Sequence, residues 1–347
     1  MWRTVGLWLL VTASVQAESP WFLENRNYFD PLMADPRAAQ IQILFPALAD
    51  SPPFAQNPGR GLVWDISVGH EFPIVGWASR GDADDLGVQS GAVGVGLWFP
   101  ISFHMIEDLN RDASAPILDT DYRFSGQLKL QYGLTWGWAK THRAHVGLRF
   151  QAGHESTHIG DEFSIEAIEK YPSSFIRVNV SYQYYDLAAA FEPNFGRLNQ
   201  HRLKLRGGAI WLWQPDQGWW SETAVLYPLG EVIARSRRNY EPYVGAEFLY
   251  RLKDKNGGSS PYGIIISVDI RDRTIYQYQT APLTHDEPTE ISVNSMIGLR
   301  QDRTTKGRFG KISPTYYLRY YHGVNPNGQF RSESHFTEFG FGVLLGF

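Results

Sequence analysis

Three consecutive residues, His154-Glu155-Ser156, carry the clearest chemical potential in the sequence. On an extended strand a spacing of two puts His154 and Ser156 on one face, roughly 7 Å apart at Cβ. An imidazole reaches a hydroxyl from there and takes its proton, which makes serine an acyl-transfer nucleophile. The ring then needs an acid to orient it. Asp161, Glu162 and Glu166 follow closely, and Glu162 is the residue assigned to that role. A metal held by His154, His158 and Asp161 fails on a strand, where the two histidines stand ~13 Å apart. Gly160-Asp161-Glu162 can cap a loop or meet a cation, yet it falls short of the six or more oxygens Ca²⁺ takes. A plainer reading ends the strand near Ala152. His154, Ser156 and His158 are then polar rim residues that hold a loop.

A second set of residues shares the polar faces of the same kind of strand. It comprises Arg149, Arg177, Arg202, Lys204, Arg206, Arg300 and Arg319, opposed by Asp65, Glu222, Glu247 and Asp269. Rings of like charge select ions, so one reading is a pore that leans toward anions. The other is an interior closed by its own ion pairs. The second is favoured, because Arg202, Lys204 and Arg206 on one strand do not make a ring. No phosphate loop, nucleotide motif or internal repeat is present, and no cofactor or metal is expected.

The elements that must position these residues are strands. Leu128, Leu130, Tyr132, Leu134, Trp136 and Trp138 alternate with Gln127, Lys129, Gln131, Gly133, Thr135 and Gly137. Phe339, Phe341, Val343, Leu345 and Phe347 alternate likewise with Glu338, Gly340, Gly342 and Gly346. Such period-2 patterns give each strand one apolar and one polar face. Val146, Leu148, Phe150, Ala152, His154 and Ser156 share even parity, so the His-Ser pair lies on the apolar face. A soluble sandwich turns that face inward. A membrane barrel turns it to lipid and keeps the polar face in the lumen.

Composition and the N-terminus favour the barrel. The 347 residues include 32 basic and 36 acidic ones, a net charge of −4 that argues against a nucleic-acid partner. Cysteine is absent, which excludes disulfides and thiolate metal sites. Past the first twenty residues nothing approaches the ~18 apolar residues of a membrane helix. Arg3, an apolar run from Val5 to Val15 and the small-x-Ala site Val15-Gln16-Ala17 form a secretory signal over residues 1–17. The expected location is the outer membrane of a Gram-negative envelope, with outer-membrane lipids as partners. A closed sheet is required there, because an open edge leaves backbone groups unpaired in hydrocarbon.

Fourteen strands are predicted, near residues 38–46, 62–78, 86–101, 121–138, 143–157, 173–185, 187–195, 200–214, 219–231, 241–251, 261–272, 289–301, 313–322 and 335–347. Twelve is the alternative count. The sixth and seventh are separated by a parity switch between Val178, Val180, Tyr182, Tyr184 and Leu187, Ala189, Phe191, which implies a turn at Tyr185-Asp186. Long connections near 47–60, 102–120, 158–172, 273–288 and 323–334 all follow odd-numbered strands, so they share one end. Residues 18–37 are expected to form a periplasmic arm or plug, and residues 38–347 the barrel.

Three stretches carry a resemblance. They are Tyr28 to Arg37 (YFDPLMADPR), His154 to Phe163 (HESTHIGDEF) and Tyr320 to Phe330 (YYHGVNPNGQF). They resemble motifs of the bacterial family called domain of unknown function 1207. The resemblance implies an exported envelope barrel and brings no activity. The terminal Phe347 resembles the assembly signal of outer-membrane barrels, which implies recognition by the barrel assembly machinery. His154-x-Ser156 on the lipid face also resembles the active-site pair of outer-membrane phospholipase A and lipid A deacylase. That likeness implies His154 as base and Ser156 as nucleophile. Those families place an Asn or Glu about fourteen residues after the His, where this chain has Ile168. The function expected is a structural, binding or pore-forming barrel. The alternative is a lipid-facing acyl ester hydrolase.

Overall fold

The computed structural model describes residues 21–22, 28–50, 60–79, 89–109, 117–136, 142–160, 180–195, 201–213, 221–222, 232–235, 240–253, 259–275, 277–279, 289–301, 313–331 and 334–346. The segment 1–17 and residues Asp161, Glu162, Glu166, Arg177 and Phe347 lie outside them. Twelve antiparallel strands form the barrel: β1 (Ile41–Asp50), β2 (Arg60–Ala78), β3 (Val93–Asp108), β4 (Ile117–Trp136), β5 (His142–Ile159), β6 (Val180–Phe195), β7 (His201–Trp213), β8 (Tyr240–Lys253), β9 (Ser259–Thr274), β10 (Thr289–Gln301), β11 (Ser313–Gly323) and β12 (Phe336–Gly346). Each pairs with its neighbours in sequence. The ring closes through β12 and β1, with Phe341 opposite Phe45 and Val343 opposite Ile43. Trp21–Phe22 adds a short strand against Gly76 and Val75 of β2.

The count is twelve rather than fourteen for two reasons. Residues 173–185 and 187–195 do not make two strands, because β6 runs unbroken from Val180 to Phe195. Tyr182 and Tyr184 are buried inside the barrel while Leu187 and Phe191 face outward. The parity switch therefore marks lumen tyrosines and not a turn. Of segment 219–231 only Ser221–Glu222 is described, and it lies outside the barrel. β7 pairs directly with β8, Trp211 opposite Tyr240. Ser221–Glu222 and Val232–Arg235 pair instead with each other and with Gln277–Gln279 in a small separate sheet. The third strand is also displaced, to 93–108, so the loop after it shrinks to 109–116.

With these bounds the long connections 160–179, 214–239, 275–288 and 324–335 follow odd strands, while 79–92 and 302–312 follow even ones. The end that carries the short connections 137–141, 196–200 and 254–258 is periplasmic by the barrel rule. Leu128, Phe150, Ile266 and Tyr320 sit mid-strand yet are about half exposed, at 50%, 45%, 50% and 46%. A continuous apolar belt of this kind is a liability in water. Outward Tyr122, Trp213 and Tyr240 near one rim and Tyr132, Tyr262 and Tyr316 near the other form its aromatic girdles. The exterior is that of an outer-membrane barrel.

Candidate functional site

The lumen is filled from both ends. Residues 28–40, just before β1, run through it. The Met33 amide donates to Glu247 and the Ala34 amide to Ser267 Oγ at 3.1 Å. Asn294 donates to the Ala34 carbonyl at 2.8 Å, and Arg123 to the Pro36 carbonyl. Asp35 sits between Arg206 (2.7 Å) and Arg271 (2.6 Å). Arg37 pairs with Glu155 at 2.8 Å and donates to the Tyr182 hydroxyl at 2.7 Å. An irregular segment in a closed lumen must find such partners for its backbone groups, and here wall side chains supply them.

Wall glycines make the room. A Cβ on Gly147 would stand 2.8 Å from Phe29 Cδ2, and one on Gly245 2.4 Å from Leu32 Cδ1. A Gly147→Val variant is therefore expected to fold and to unseat Phe29, since overpacking costs ~1–3 kcal/mol. The measurement is ion leak through reconstituted vesicles, which rises above wild type while the unheated gel mobility is unchanged. An unchanged leak would count against Phe29 as a seat of the segment.

The loop after β11 enters from the opposite end. Val324, Asn325, Asn327, Phe330 and Arg331 are buried. The Gly328 amide donates to Asp121, and a Cβ there would meet Thr157 Cγ2 at 2.1 Å. Arg331 pairs with Glu241 of β8. The Val324 amide donates to Ser292 Oγ at 3.0 Å, and Arg273 donates to the Val324 carbonyl. All three motif stretches thus meet inside the barrel. One is the segment through the lumen, one brings Glu155 and Thr157 to it, and one is the inward loop.

The predicted wall charges that the described barrel strands carry face inward, and most have a partner there. Glu222 instead lies in the small separate sheet, because Ser221–Glu222 pairs with Val232–Ile233 and not with a barrel strand. Arg149 meets Asp186, and Arg202 meets Glu192. Lys204 meets Glu247 at 3.4 Å, Arg319 meets Asp65, and Asp269 meets Arg271. Arg206 takes Asp35. Near the periplasmic end Arg300, Lys129, Lys204, Glu247 and Asp30 line a cavity of about 170 Å³. Sequence reasoning missed Arg123, although the alternation of β4 carries its signal, whereas the alternation of β9 set Arg271 on the polar face. Asp35 and Arg37 had no such signal, because an irregular segment has no period.

At the outer rim His154, Ser156 and His158 follow Ala152, the last apolar outward residue of β5. Ser156 Oγ hydrogen-bonds with His158 Nε2 at 3.0 Å. The His154 ring packs on Phe124, with centroids 5.1 Å apart, and the His158 ring packs edge-on against Tyr122 at 5.6 Å. Glu155 points the other way, into the lumen, and is held by Arg37 and Arg123.

No family model matches the chain, and no curated protein matches it. Solved barrels are similar in outline. Outer membrane phospholipase A from Escherichia coli is 12% identical over 89% of this chain and 92% of its own, with a TM-score of 0.42. An outer membrane channel from Pseudomonas putida F1 is 11% identical, covers 93% and 99%, and scores 0.43. The translocator domain of the autotransporter NalP from Neisseria meningitidis is 9% identical, covers 90% and 89%, and scores 0.41. Likeness at this level says nothing about activity. Ring closure and the apolar belt are what place the chain among outer-membrane barrels.

Proposed function

We propose that the protein is a gated outer-membrane pore for small hydrophilic solutes, closed at rest by its own N-terminal segment. The observation that carries the reading is the attachment of residues 28–40. Besides the buried apolar residues from Tyr28 to Ala34, they touch the wall through ion pairs and single hydrogen bonds that water can replace. The occupied lumen also supports a closed resting state over a permanently open pore. Kinship with the domain of unknown function 1207 family belongs to the same reading, since its three stretches converge on the closure. Planar-bilayer recording tests it. The full chain should stay closed at rest and conduct when the segment is displaced. Steady current from wild type, or a barrel still sealed once the segment is gone, defeats it.

One observation favours a second reading, an acyl ester hydrolase acting on lipid from outside. Ser156 is bonded to an imidazole at the outer interface, where its neighbours are Phe124 and Tyr122. Spacing assigned the base to His154; the 3.0 Å bond to His158 Nε2 makes His158 its equal in that role. Purified protein is assayed on phospholipid and lipid A esters. Ser156→Ala is expected to lower turnover by about three or more orders of magnitude. Separate His154→Ala and His158→Ala variants identify the base. Absence of turnover in wild type ends this reading and leaves the pore.

A further inference from the structure

At the outer rim, three neighbouring strands bring together Glu290 of β10, His322 of β11 and His335 just before β12. One ligand atom from each lies within 4.8 Å of the others. We propose that this trio binds a divalent transition metal of the zinc class and clasps the base of the inward loop. His322 and His335 are the posts on either side of that loop, so a shared ion would close it.

Second contacts orient both rings. Thr337 donates its hydroxyl to the His335 carbonyl at 3.3 Å, so its oxygen accepts from His322 Nδ1 at 3.0 Å. That bond puts the His322 proton on Nδ1 and leaves Nε2 as a lone-pair donor, as in metal-binding histidines with a fixed tautomer. The backbone of His335 is in the left-handed region, with φ 59°. It is the one non-glycine residue there among those described, and such strain clusters at functional sites. The turn lets the His335 ring meet Glu290 Oε1 at 2.6 Å and its amide meet Oε2 at 2.9 Å. The two imidazoles lie nearly parallel, 23° apart, with centroids separated by 6.2 Å. Two nitrogens and one carboxylate form a borderline donor set that suits Zn²⁺, with a fourth position left for water. Ca²⁺ and Mg²⁺ prefer oxygen ligands throughout. The His335 side chain is 78% exposed, so an ion reaches it from the medium. The proposal does not depend on whether the pore conducts.

The test is calorimetric titration of ZnCl₂ into the full chain in detergent, after stripping with a chelator. One Zn²⁺ per chain is expected, with no saturable binding of CaCl₂ or MgCl₂. His322→Gln and His335→Asn should each lower affinity at least about a hundredfold; asparagine tolerates the left-handed backbone at 335. Thr337→Val should lower it about tenfold to a hundredfold, the usual effect of an orienting partner. Unheated gel mobility checks that each variant is folded. Should a variant misfold, wild type itself decides. Zn²⁺ must protect His322 and His335 from carbethoxylation, and lack of protection overturns the proposal. So does absence of stoichiometric binding, or equal binding by the His322→Gln/His335→Asn double variant. In either case the trio is a His–Glu ion pair and nothing more.

Discussion

A chain lacking residues 28–40 conducts where the full chain does not. The expected record is discrete open-channel current in planar bilayers, against a flat trace from wild type at the same voltage. The deletion removes Asp35, Arg37 and the amides that meet Glu247 and Ser267, but it breaks no strand pairing. Arg206, Arg271 and Glu155 lose partners, yet water enters with the opening and solvates them, so the desolvation penalty disappears with the pair. The loop at 324–331 still narrows the outer end, held by Asp121 and Glu241. Shortening it as well should raise the current further. The absence of native cysteine allows a converse test. Ala34→Cys with Ser267→Cys joins positions now linked by a 3.1 Å hydrogen bond. The oxidised pair should keep the pore shut under conditions that displace the segment, and reduction should restore opening under them. A deletion variant that folds but stays silent would show that the wall or the loop at 324–331 closes the lumen without the segment, and would defeat the gating role.

The barrel class was legible because alternation is a local signal. Arg149, Lys204, Arg206 and Arg319 were placed inside by parity alone, and all are buried there. The strand count went astray at Tyr182 and Tyr184. Alternation marks an apolar face, and a filled lumen is itself partly apolar, so tyrosines buried against Arg37 read like lipid-facing ones. The segment through the lumen was legible only as an arm or plug. Asp35 finds Arg206 and Arg271 across more than 170 residues of chain, and no spacing rule reaches that far. At the rim, local reading was limited in another way. Spacing and the resemblance picked His154 as the base, although His158 stands at the same distance in sequence on the other side of Ser156.

Asp35→Ala is expected to open the pore without removing the segment. The carboxylate lies between two guanidinium groups in a buried place. Removing one partner of a buried pair costs about 3–5 kcal/mol. The low end applies here, because Arg271 keeps Asp269 and Arg206 keeps the Tyr243 hydroxyl at 3.2 Å. About 3 kcal/mol corresponds to roughly a hundredfold shift between closed and open forms. Single-channel open probability reads this directly. Proton concentration provides an independent check. Burial alone would raise the Asp35 carboxyl, but Arg206, Arg271 and Arg149 more than reverse this and hold it well below its ordinary value of 3.8. A carboxyl lowered in the closed state contributes its full stabilisation above the ordinary value, and loses it as pH falls through the lowered one. Open probability in wild type should therefore be flat between roughly pH 5 and 8 with respect to this group, and should rise only in strong acid. Asp35→Asn should already be open near neutrality and show less of the acid rise. An Asp35→Ala variant with the open probability of wild type would mean that the segment is seated by Arg37 and its backbone bonds alone.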